Sequence, residues 1–440
     1  MRPAPNWVSS WWSWGMSEDF PCVALGAVAS ITMGQSPGAE TYSNEENGLP
    51  FLQGCAEFGA LHPQPEIYCD PPLRVAKKDS ILISVRAPVG TMNLADQDYC
   101  IGRGLGAVQG IAGKANTSFL RYAIAKNVGF LHRRSQGSTF LAISSGELRL
   151  LPIPDIGFTT QGRIAEVLFT LDKAIEQTEA LIAKYQHIKA GLMHDLFTRG
   201  VTTDGKLRPP REQAPELYQE TPIGWIPKTW NCRKLGKVLN ESGGYLQTGP
   251  FGSQLHAHEY TDDGIPVVMP QDIEDGKIFT HAIARIPELR AQILARHRVK
   301  LGDIIIARRG ELSRAAAISH RELGWVCGTG CFLLRLSGSK LDPRFFSYTY
   351  RHDIVQRQIE GLAVGSTMPS LNNSVMSSLY FPYLTEDEQH RISDHLETQD
   401  KALLSLKCEN EKLEKQKAGL MHDLLTGKVR VKILGQENTI

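Results

Sequence analysis

The 440-residue sequence lacks several features that would place it in a familiar class of proteins. No uninterrupted apolar run reaches about 18 residues, so we expect no membrane-spanning helix and no membrane partner. The phosphate-binding pattern Gly-x-x-x-x-Gly-Lys-Ser/Thr is missing, so we expect no ATP site in this chain. The net charge is only +1, which by itself does not point to a nucleic-acid partner. Eight cysteines are scattered without a paired framework, which favours reduced thiols and a cytoplasmic location.

The sequence does contain enough apolar residues for more than one core. Hydrophobic residues make up 42% of the chain, and a chain of this length typically folds as two or three domains. The N-terminal segment is unusual because four tryptophans fall within residues 7–14 and are interrupted by serines. Because a secretory signal needs an unbroken apolar run after a basic start, we interpret residues 1–20 as an extension instead. Translation from Met16 and an exposed interaction patch both remain open.

An internal repeat dominates the rest of the sequence. The octapeptide Lys-Ala-Gly-Leu-Met-His-Asp-Leu at 189–196 recurs unchanged at 417–424, and the same shift aligns 137–201 with 365–429 without a gap. The aligned segments also share the sequences Gly-Ser-Thr, Gln-x-Arg-Ile and Asp-Lys-Ala. A gapless match of this length does not arise by chance, so the protein contains two copies of one unit.

The second part of each copy has the apolar spacing of a long helix. Alternating steps of four and three residues are typical of a coiled coil, and neither stretch contains a proline that would interrupt a helix. The predicted seam consists of Ile164, Leu168, Leu171, Ile175, Thr178, Ile182, Tyr185, Lys189, Leu192 and Leu196 in the first copy and of Ile392, Leu396, Gln399, Leu403, Leu406, Asn410, Leu413, Lys417, Leu420 and Leu424 in the second.

The two seams share one spacing and one register, which favours antiparallel pairing of the helices with each other. A helix of about 38 residues would be about 57 Å long and could hold the globular parts of the two copies apart. Lys189, Asn410 and Lys417 would then be the polar seam positions that fix the alignment at some cost in stability. The alternative is that each helix lies on its own globular domain and the two helices never pair.

The first part of each copy matches far less well and has the pattern of a compact α+β domain. Short apolar runs at 80–85 and 303–307 predict strands. Each copy then has a Gly-x-Gly step, at 102–104 and 328–330, before further apolar residues and a helical segment. Between the copies, residues 201–227 are rich in Pro, Gln, Glu and Lys, which predicts a linker.

Several motifs that suggest catalysis or metal binding are better explained structurally. The segment 70–73, Asp-Pro-Pro-Leu, is similar to a methyltransferase motif, but its leucine cannot stack on an extruded base as an aromatic residue would. The histidines of 256–258 and the cysteines of 327–331 have no further ligands at metal-site spacing, so we predict no metal site. The His-Asp pairs at 194–195 and 422–423 have no neighbouring nucleophile, so we predict no catalytic residues.

A cation-rich surface is the strongest remaining functional signal. Residues 281–320 contain eight Lys or Arg against three acidic residues, and a local charge of +5 is typical of phosphate contacts. A solvated charged face remains the alternative in both copies. Arginine can bond to guanine edges and glutamine to adenine edges. The candidate DNA-binding residues are Arg86 and Arg103 in the first copy and Gln271, Arg308, Arg309 and Thr329 in the second.

Two divergent globular parts with two near-identical helices closely resemble the specificity (S) subunit of type I restriction-modification systems. Besides the repeated helix motifs, the resemblance rests on Leu-Pro-Ile-Pro at 151–154 and on Ile-Pro-Lys-Thr-Trp at 226–230, which is followed by Leu235-Gly236. It covers residues 20–430. The start of the first copy, Phe-Pro-Cys-Val-Ala-Leu-Gly at 20–26, lacks the tryptophan.

The resemblance implies an α+β fold with two globular target recognition domains separated by two long antiparallel coiled-coil helices, in a pseudo-twofold internal repeat. The implied segments are the extension (1–20), the first target recognition domain (21–157), the central helix (158–200), the linker (201–227), the second target recognition domain (228–380), the distal helix (381–427) and the tail (428–440).

The same resemblance implies a non-catalytic subunit whose globular domains each recognise one half of a bipartite sequence in double-stranded DNA. The helices would set the spacing between the halves and dock two modification (methyltransferase) subunits, and restriction (motor-nuclease) subunits would join for cleavage. S-adenosylmethionine, ATP and Mg are expected on those partners, and no cofactor is expected in this chain. The alternative is a protein-interaction scaffold without sequence-specific DNA binding.

Overall fold

The computed structural model describes residues 20–134, 142–250, 254–362 and 370–431. The chain divides into two compact units: unit 1 combines the residues up to Ala180 with those from Lys407 onward, and unit 2 is Leu181–Leu406. Each unit contains one globular domain and one end of each of two long helices. Some predicted features lie outside the described residues, namely the tryptophan-rich segment (1–19), the Gly-Ser-Thr sequences (137–139 and 365–367) and most of the tail (432–440).

The globular domain of unit 1 is an α+β domain. Its strands are β1 (Cys22–Ala24), β2 (Ala29–Met33), β3 (Tyr42–Ser43), β4 (Leu49–Leu52), β5 (Ile67–Cys69), β6 (Val75–Ala76), β7 (Ile81–Ser84), β8 (Met92–Leu94), β9 (Tyr99–Ile101), β10 (Leu105–Gly110) and β11 (Pro152–Pro154). Its helices are α1 (Leu25–Val28), α2 (Thr117–Arg134) and α3 (Ser145–Arg149), and a 3-10 turn covers Ala39–Thr41. The sheets have the orders β2-β10-β7-β8, β3-β5-β4-β9-β6 and β1-β11.

The long helices follow the two globular domains and are α4 (Phe158–Thr198) and α10 (Glu386–Thr426). Each has 41 residues, which corresponds to about 61 Å. The second helix starts later than the predicted 381 because Tyr380–Tyr383 form a strand instead. In the described part of the chain, no helix combines the length and apolarity that a membrane span requires.

The globular domain of unit 2 is also an α+β domain. Its strands are β12 (Tyr218–Thr221), β13 (Gly224–Pro227), β14 (Asn231–Lys234), β15 (Tyr245–Thr248), β16 (Ile265–Val268), β17 (Ile273–Glu274), β18 (Lys277–Ile278), β19 (Ala284–Ile286), β20 (Ile304–Ala307), β21 (Ala315–Ala317), β22 (Val326–Cys327), β23 (Cys331–Arg335) and β24 (Tyr380–Tyr383). Its helices are α5 (Leu235–Ser242), α6 (Glu288–Ile293), α7 (Pro343–Arg351), α8 (Asp353–Leu362) and α9 (Asn373–Ser378), with 3-10 turns at Pro215–Leu217, Ala257–Glu259, Pro270–Asp272, Ala295–His297 and His320–Glu322.

The two globular domains share a topology that their sequences conceal. The sheet β15-β23-β20-β21 repeats the order β2-β10-β7-β8, and β14-β24 repeats β1-β11. In both domains a parallel pair, β4 with β9 and β16 with β22, leads into the Gly-x-Gly step. The strands predicted at 80–85 and 303–307 are confirmed as β7 and β20, and all residues of both strands are buried. Burial on both faces explains their nearly continuous apolar sequences.

The predicted antiparallel helix pair is confirmed within each unit. In unit 1, Ile164 and Leu168 of α4 share a buried cluster with Leu424 of α10. In unit 2, Leu196 of α4 shares a cluster with Ile392 and Leu396 of α10. Every predicted seam position is buried or half-buried, so the spacing of the sequence marks the face that each helix turns away from solvent.

The segment 201–227, predicted to be a linker, is folded. The strands β12 and β13 form a hairpin in which Tyr218 and Ile226 are buried. The side chain of Arg208 forms a buried ion pair with Glu388 near the start of α10, and Glu388 also accepts a hydrogen bond from the backbone N–H of Val201 at 2.9 Å. The composition of this segment did not predict its folded structure, because residues that stabilise it, such as Glu388, lie far from it in the sequence.

The repeated glutamine of the Gln-x-Arg-Ile motif anchors each globular domain to its long helix. In unit 1 the side-chain amide of Gln161 accepts from the N–H of Asn116 at 2.8 Å and donates to two backbone carbonyls. In unit 2 Gln389 accepts from the N–H of Asp342 at 2.8 Å and donates to two equivalent carbonyls. Both side chains are buried, so each amide is hydrogen-bonded to these backbone groups in place of water.

Candidate nucleic-acid interface

Two exposed arginines lie at one end of the four-stranded sheet of unit 1. Arg86 follows β7, and Arg103 precedes β10 in the Gly-x-Gly step. The N–H of Val85 donates to the carbonyl of Gly104 at 2.9 Å, which holds the two segments together. Among the described residues, neither guanidinium has an ion pair or a side-chain hydrogen bond. Both cations are therefore available to a ligand.

The same arrangement recurs in unit 2. The N–H of Arg308 donates to the carbonyl of Gly330 at 2.9 Å, as Val85 does to Gly104. Arg309 pairs with Ser370 in an isolated bridge, just as Arg86 pairs with Ala142. By these backbone contacts Arg309 is the structural equivalent of Arg86, and Thr329 is the equivalent of Arg103. Arg309 is exposed, and its guanidinium has no bonding partner within the described segments.

Arg308 and Thr329 are more constrained than Arg309. The guanidinium of Arg308 donates to the carbonyl of Leu371 at 3.3 Å and lies 5.4 Å from the centre of the Phe332 ring. Burial, reinforced by the charge of Arg309, lowers the pKa of Arg308. The hydroxyl of Thr329 donates to the carbonyl of Pro250 at 2.9 Å, which leaves its oxygen able to accept a hydrogen bond.

Gln271 lies beside the Gly-x-Gly step of unit 2. The N–H of Gly328 donates to the carbonyl of Val268 at 2.9 Å, which places the turn after β16 next to this step. The guanidinium of Arg314 donates to the carbonyl of Gln271 at 3.3 Å and pairs with Glu311 at 2.7 Å. The side chain of Gln271 is exposed, so this brace fixes the backbone and leaves the amide free.

Two glycines that the sequence analysis missed shape this end of both sheets. A Cβ atom on Gly34 would lie 2.1 Å from the carbonyl oxygen of Gly102, and one on Gly249 would lie 2.0 Å from that of Gly328. Only glycine permits the edge strand to approach the turn so closely. Their shared signal in the sequence is weak, because each glycine simply ends an unremarkable strand.

The ion pairs of residues 281–320 leave the net charge of this segment at +5. Arg298 pairs with Glu288 at 2.9 Å, and Arg314 pairs with Glu311 within the same segment. Arg290 pairs at 2.7 Å with Glu259, which lies outside the segment and was not counted. Asp303, which was counted, pairs with Arg335 outside the segment, so these two outside partners cancel. Among the described residues, the exposed cations of this segment that have no ion pair are Arg296, Lys300 and Arg309.

The other candidate ligands do not assemble into a site in the described part of the chain. No group of three or more His, Cys, Asp or Glu there could hold a metal ion. Cys327 and Cys331 are buried, and burial raises the pKa of each thiol. The rings of His256 and His258 stack on each other at 5.5 Å. The side chain of Asp195 pairs with Arg199, which is consistent with a structural use of this helix end.

Comparison of the sequence with known families finds one match over much of the chain. The profile of the family described as type I restriction modification DNA specificity domain matches residues 23–185 and 296–415, which are more than half of the chain. The matched segments include both long helices in large part and much of each globular domain.

Two related proteins come from Methanocaldococcus jannaschii. The type I restriction enzyme MjaX specificity subunit is 37% identical over 193 residues, which are 43% of this chain and 44% of that protein. The chain thus matches less than half the length of this relative. The type I restriction enzyme MjaVIII specificity subunit is 24% identical over 326 residues, which are 72% of this chain and 71% of that protein.

A solved structure is similar over nearly the whole chain. The crystal structure of the S subunit of a type I restriction-modification system from M. genitalium has a TM-score of 0.61 and 16% identity, and the match covers 93% of this chain and 98% of that chain. At this identity the likeness establishes the fold, with its repeated α+β domains and long helices.

Proposed function

We propose that this chain, which belongs to the family of type I restriction-modification DNA specificity domains, is the DNA-recognising subunit of a type I restriction-modification complex. Each globular domain recognises one half of a bipartite sequence in double-stranded DNA. The chain itself is non-catalytic. It acts in the cytoplasm, where it meets the DNA.

The main support for this proposal is that the ends of the four-stranded sheets in the two units are structurally equivalent. Both present an exposed arginine at the same position, Arg86 and Arg309, with no ion pair among the described residues. Beside it is a position that differs, Arg103 and Thr329. Phosphate contacts are the same for every sequence, whereas base contacts must differ between two different half-sites. The shared arginine therefore suits a phosphate, and the divergent residue suits a base edge. Gln271 adds an amide that can bond to adenine.

The helices support the assembly part of the proposal. The sequence of 189–196 recurs unchanged at 417–424 near the ends of α4 and α10, although the globular domains have diverged. Identical surfaces suit two copies of the same partner. We assign that partner to two modification subunits, which bind S-adenosylmethionine and methylate DNA. Restriction subunits, with ATP and Mg, complete the complex for cleavage.

The test is to co-express the chain with the modification subunits of its own system and to map methylated adenines by single-molecule sequencing. The proposal expects one split motif, with two short specific halves and an unspecific spacer of fixed length, that disappears when this chain is omitted. A complex that methylates no split motif, and that prefers no duplex over competitor DNA across a range of salt concentrations, would instead identify the chain as a protein-interaction scaffold.

A further inference from the structure

Asp172 lies where three elements of unit 1 meet. It is on the long helix α4, and its carboxylate accepts a hydrogen bond from the hydroxyl of Tyr122 on the domain helix α2 at 2.7 Å. The ammonium of Lys417 on the other long helix, α10, is 2.6 Å away from the same carboxylate. Arg121 adds a longer contact at 3.4 Å. One carboxylate thus joins the globular domain to both helices.

We call this set of a tyrosine, an aspartate and a lysine a node. The same node recurs in unit 2 with the two helices exchanged. Asp400 of α10 accepts a hydrogen bond from the hydroxyl of Tyr348 on α7 at 2.6 Å. Its second helix partner is Lys189 of α4, whose ammonium lies 2.5 Å from the carboxylate. The side chain of Asp400 is 9% exposed and that of Asp172 is 16% exposed. All three side chains recur in the same roles, so the node is a structural feature common to both units.

The node differs from the glutamine anchors in what it connects. Gln161 and Gln389 bond to backbone groups of their own globular domain and attach it to one helix. Asp172 and Asp400 connect that domain to the second helix as well. Charge-assisted hydrogen bonds of this kind are short and directional, so they resist rotation of the domain. Burial and the neighbouring aspartate raise the pKa of Tyr122 and of Tyr348, so both hydroxyls keep the proton that they donate.

We propose that Tyr122–Asp172–Lys417 and Tyr348–Asp400–Lys189 are positioning nodes that fix each recognition domain on its helix pair and thereby make the complex selective for one half-site spacing. This inference rests on the proposed function. Adding one base pair to the spacer moves a half-site by about 3.4 Å and rotates it by about 35° around the duplex. A domain held on three elements cannot follow that rotation without breaking the node.

The test is the variant Tyr122→Phe, which removes only the hydroxyl, in the full complex with its modification subunits. Methylation rates are measured on duplexes that carry the parent motif with its own spacer or with one base pair added or removed. We expect the sequences of both halves to be unchanged and the preference for the parent spacer to fall by about tenfold, because a hydrogen bond to a charged group no longer opposes rotation. Tyr348→Phe should have the same effect.

The matched control is Glu166→Gln, which breaks the exposed contact to Arg163 on the same helix and should leave spacer preference unchanged. An unaltered preference in Tyr122→Phe, or an equal loss of methylation at every spacer, would overturn the positioning role. The parent complex must first methylate a split motif, and its failure to do so would contradict the proposed function. The positioning role is judged only by how the variant differs from an active parent complex. Hydrogen exchange of the full chain gives an independent readout: Tyr122→Phe should accelerate exchange in Thr117–Arg134, and unchanged exchange there would count against the node.

Discussion

The two globular domains are alike where they touch the long helices and differ at the sheet ends that carry the candidate DNA-binding residues. Both use a buried glutamine, a tyrosine–aspartate–lysine node and the same order of four strands. At the sheet ends, however, Arg103 corresponds to Thr329. The five-stranded sheet of unit 1 corresponds to a three-stranded sheet in unit 2. Attachment to the helices is therefore conserved between the copies, whereas the candidate DNA surface keeps one arginine and changes the residue beside it.

The largest expected difference between the units concerns Glu388, whose equivalent in unit 1 by the repeat is Thr160. We expect Glu388→Ala to destabilise unit 2 by about 4 kcal/mol, because it leaves buried Arg208 without its partner. Hydrogen exchange in the hairpin β12–β13 should reveal the loss, with unit 1 unaffected. The control is Lys206→Ala, at an ion pair whose side chains are 82% and 58% exposed, which should change stability by less than about 0.5 kcal/mol. Equal losses of stability in Glu388→Ala and Lys206→Ala would contradict this prediction.

The glutamine anchors should be equivalent in the two units. Gln161→Ala and Gln389→Ala each remove a buried side chain that pairs with three backbone groups, so we expect each to cost about 3 kcal/mol, measured by hydrogen exchange in its own unit. The exposed Gln177→Ala on α4 serves as the control and should have little effect. A large loss in one unit and none in the other would break the proposed symmetry of attachment.

Acid should destabilise unit 2 more than unit 1. Burial lowers the pKa of His352 to about 4, although Asp353 opposes this shift. The unfolded chain protonates this residue near pH 6.5, so its contribution is complete above that pH and is lost as the pH falls towards 4. Between pH 7 and pH 5 we expect a loss of about 2 kcal/mol, detectable by hydrogen exchange. The equivalent position in unit 1, four residues after Tyr122 as His352 is four residues after Tyr348, is the exposed Lys126.

The control for this prediction is His352→Asn. Its side-chain oxygen can still accept the hydrogen bond from the N–H of Ile354 but has no proton to gain. The variant should lose most of the extra acid sensitivity of unit 2. If unit 2 of the variant remains as sensitive to acid as the parent, another group is responsible.

The smallest expected effects concern the sheet ends. Arg86→Ala and Arg309→Ala should each weaken DNA binding of the complex by about 1 kcal/mol at every sequence and reduce the salt dependence by about one phosphate contact. Arg103→Thr and Thr329→Arg should instead alter base preference, each in one half of the motif only. Binding titrations on duplexes with single base changes distinguish the two cases. A change of base preference in Arg309→Ala would contradict its assignment to phosphate.

The helices were predictable from the sequence because their information is local. A period of 3.5 residues identified the seam from Ile164 to Leu196 and from Ile392 to Leu424, and all of these positions are buried or half-buried. The lysines at 189 and 417 were expected to cost stability. They pair instead with Asp400 and Asp172, residues of the repeated Asp-Lys-Ala motif that lie outside the seam, so the period could not identify them as partners.

Other features were hidden because they depend on distant contacts. The shared sheet order leaves little trace in sequence, since Ile81 and Ile304 need only be apolar to occupy equivalent buried positions. The hairpin within 201–227 resembled a linker because its burial comes from long-range packing. The candidate site was predicted as isolated residues. Only the backbone contacts of the sheet ends show which of them are equivalent.

The central claim is that each globular domain independently recognises one half of a split DNA motif. The most direct measurement replaces the domain at 21–157 with that of a relative of different specificity and maps the methylated motif in cells by single-molecule sequencing. We expect one half of the motif to change to that of the donor, while the other half and the spacer length stay the same. A motif that changes in both halves, or that does not change at all, would contradict this claim.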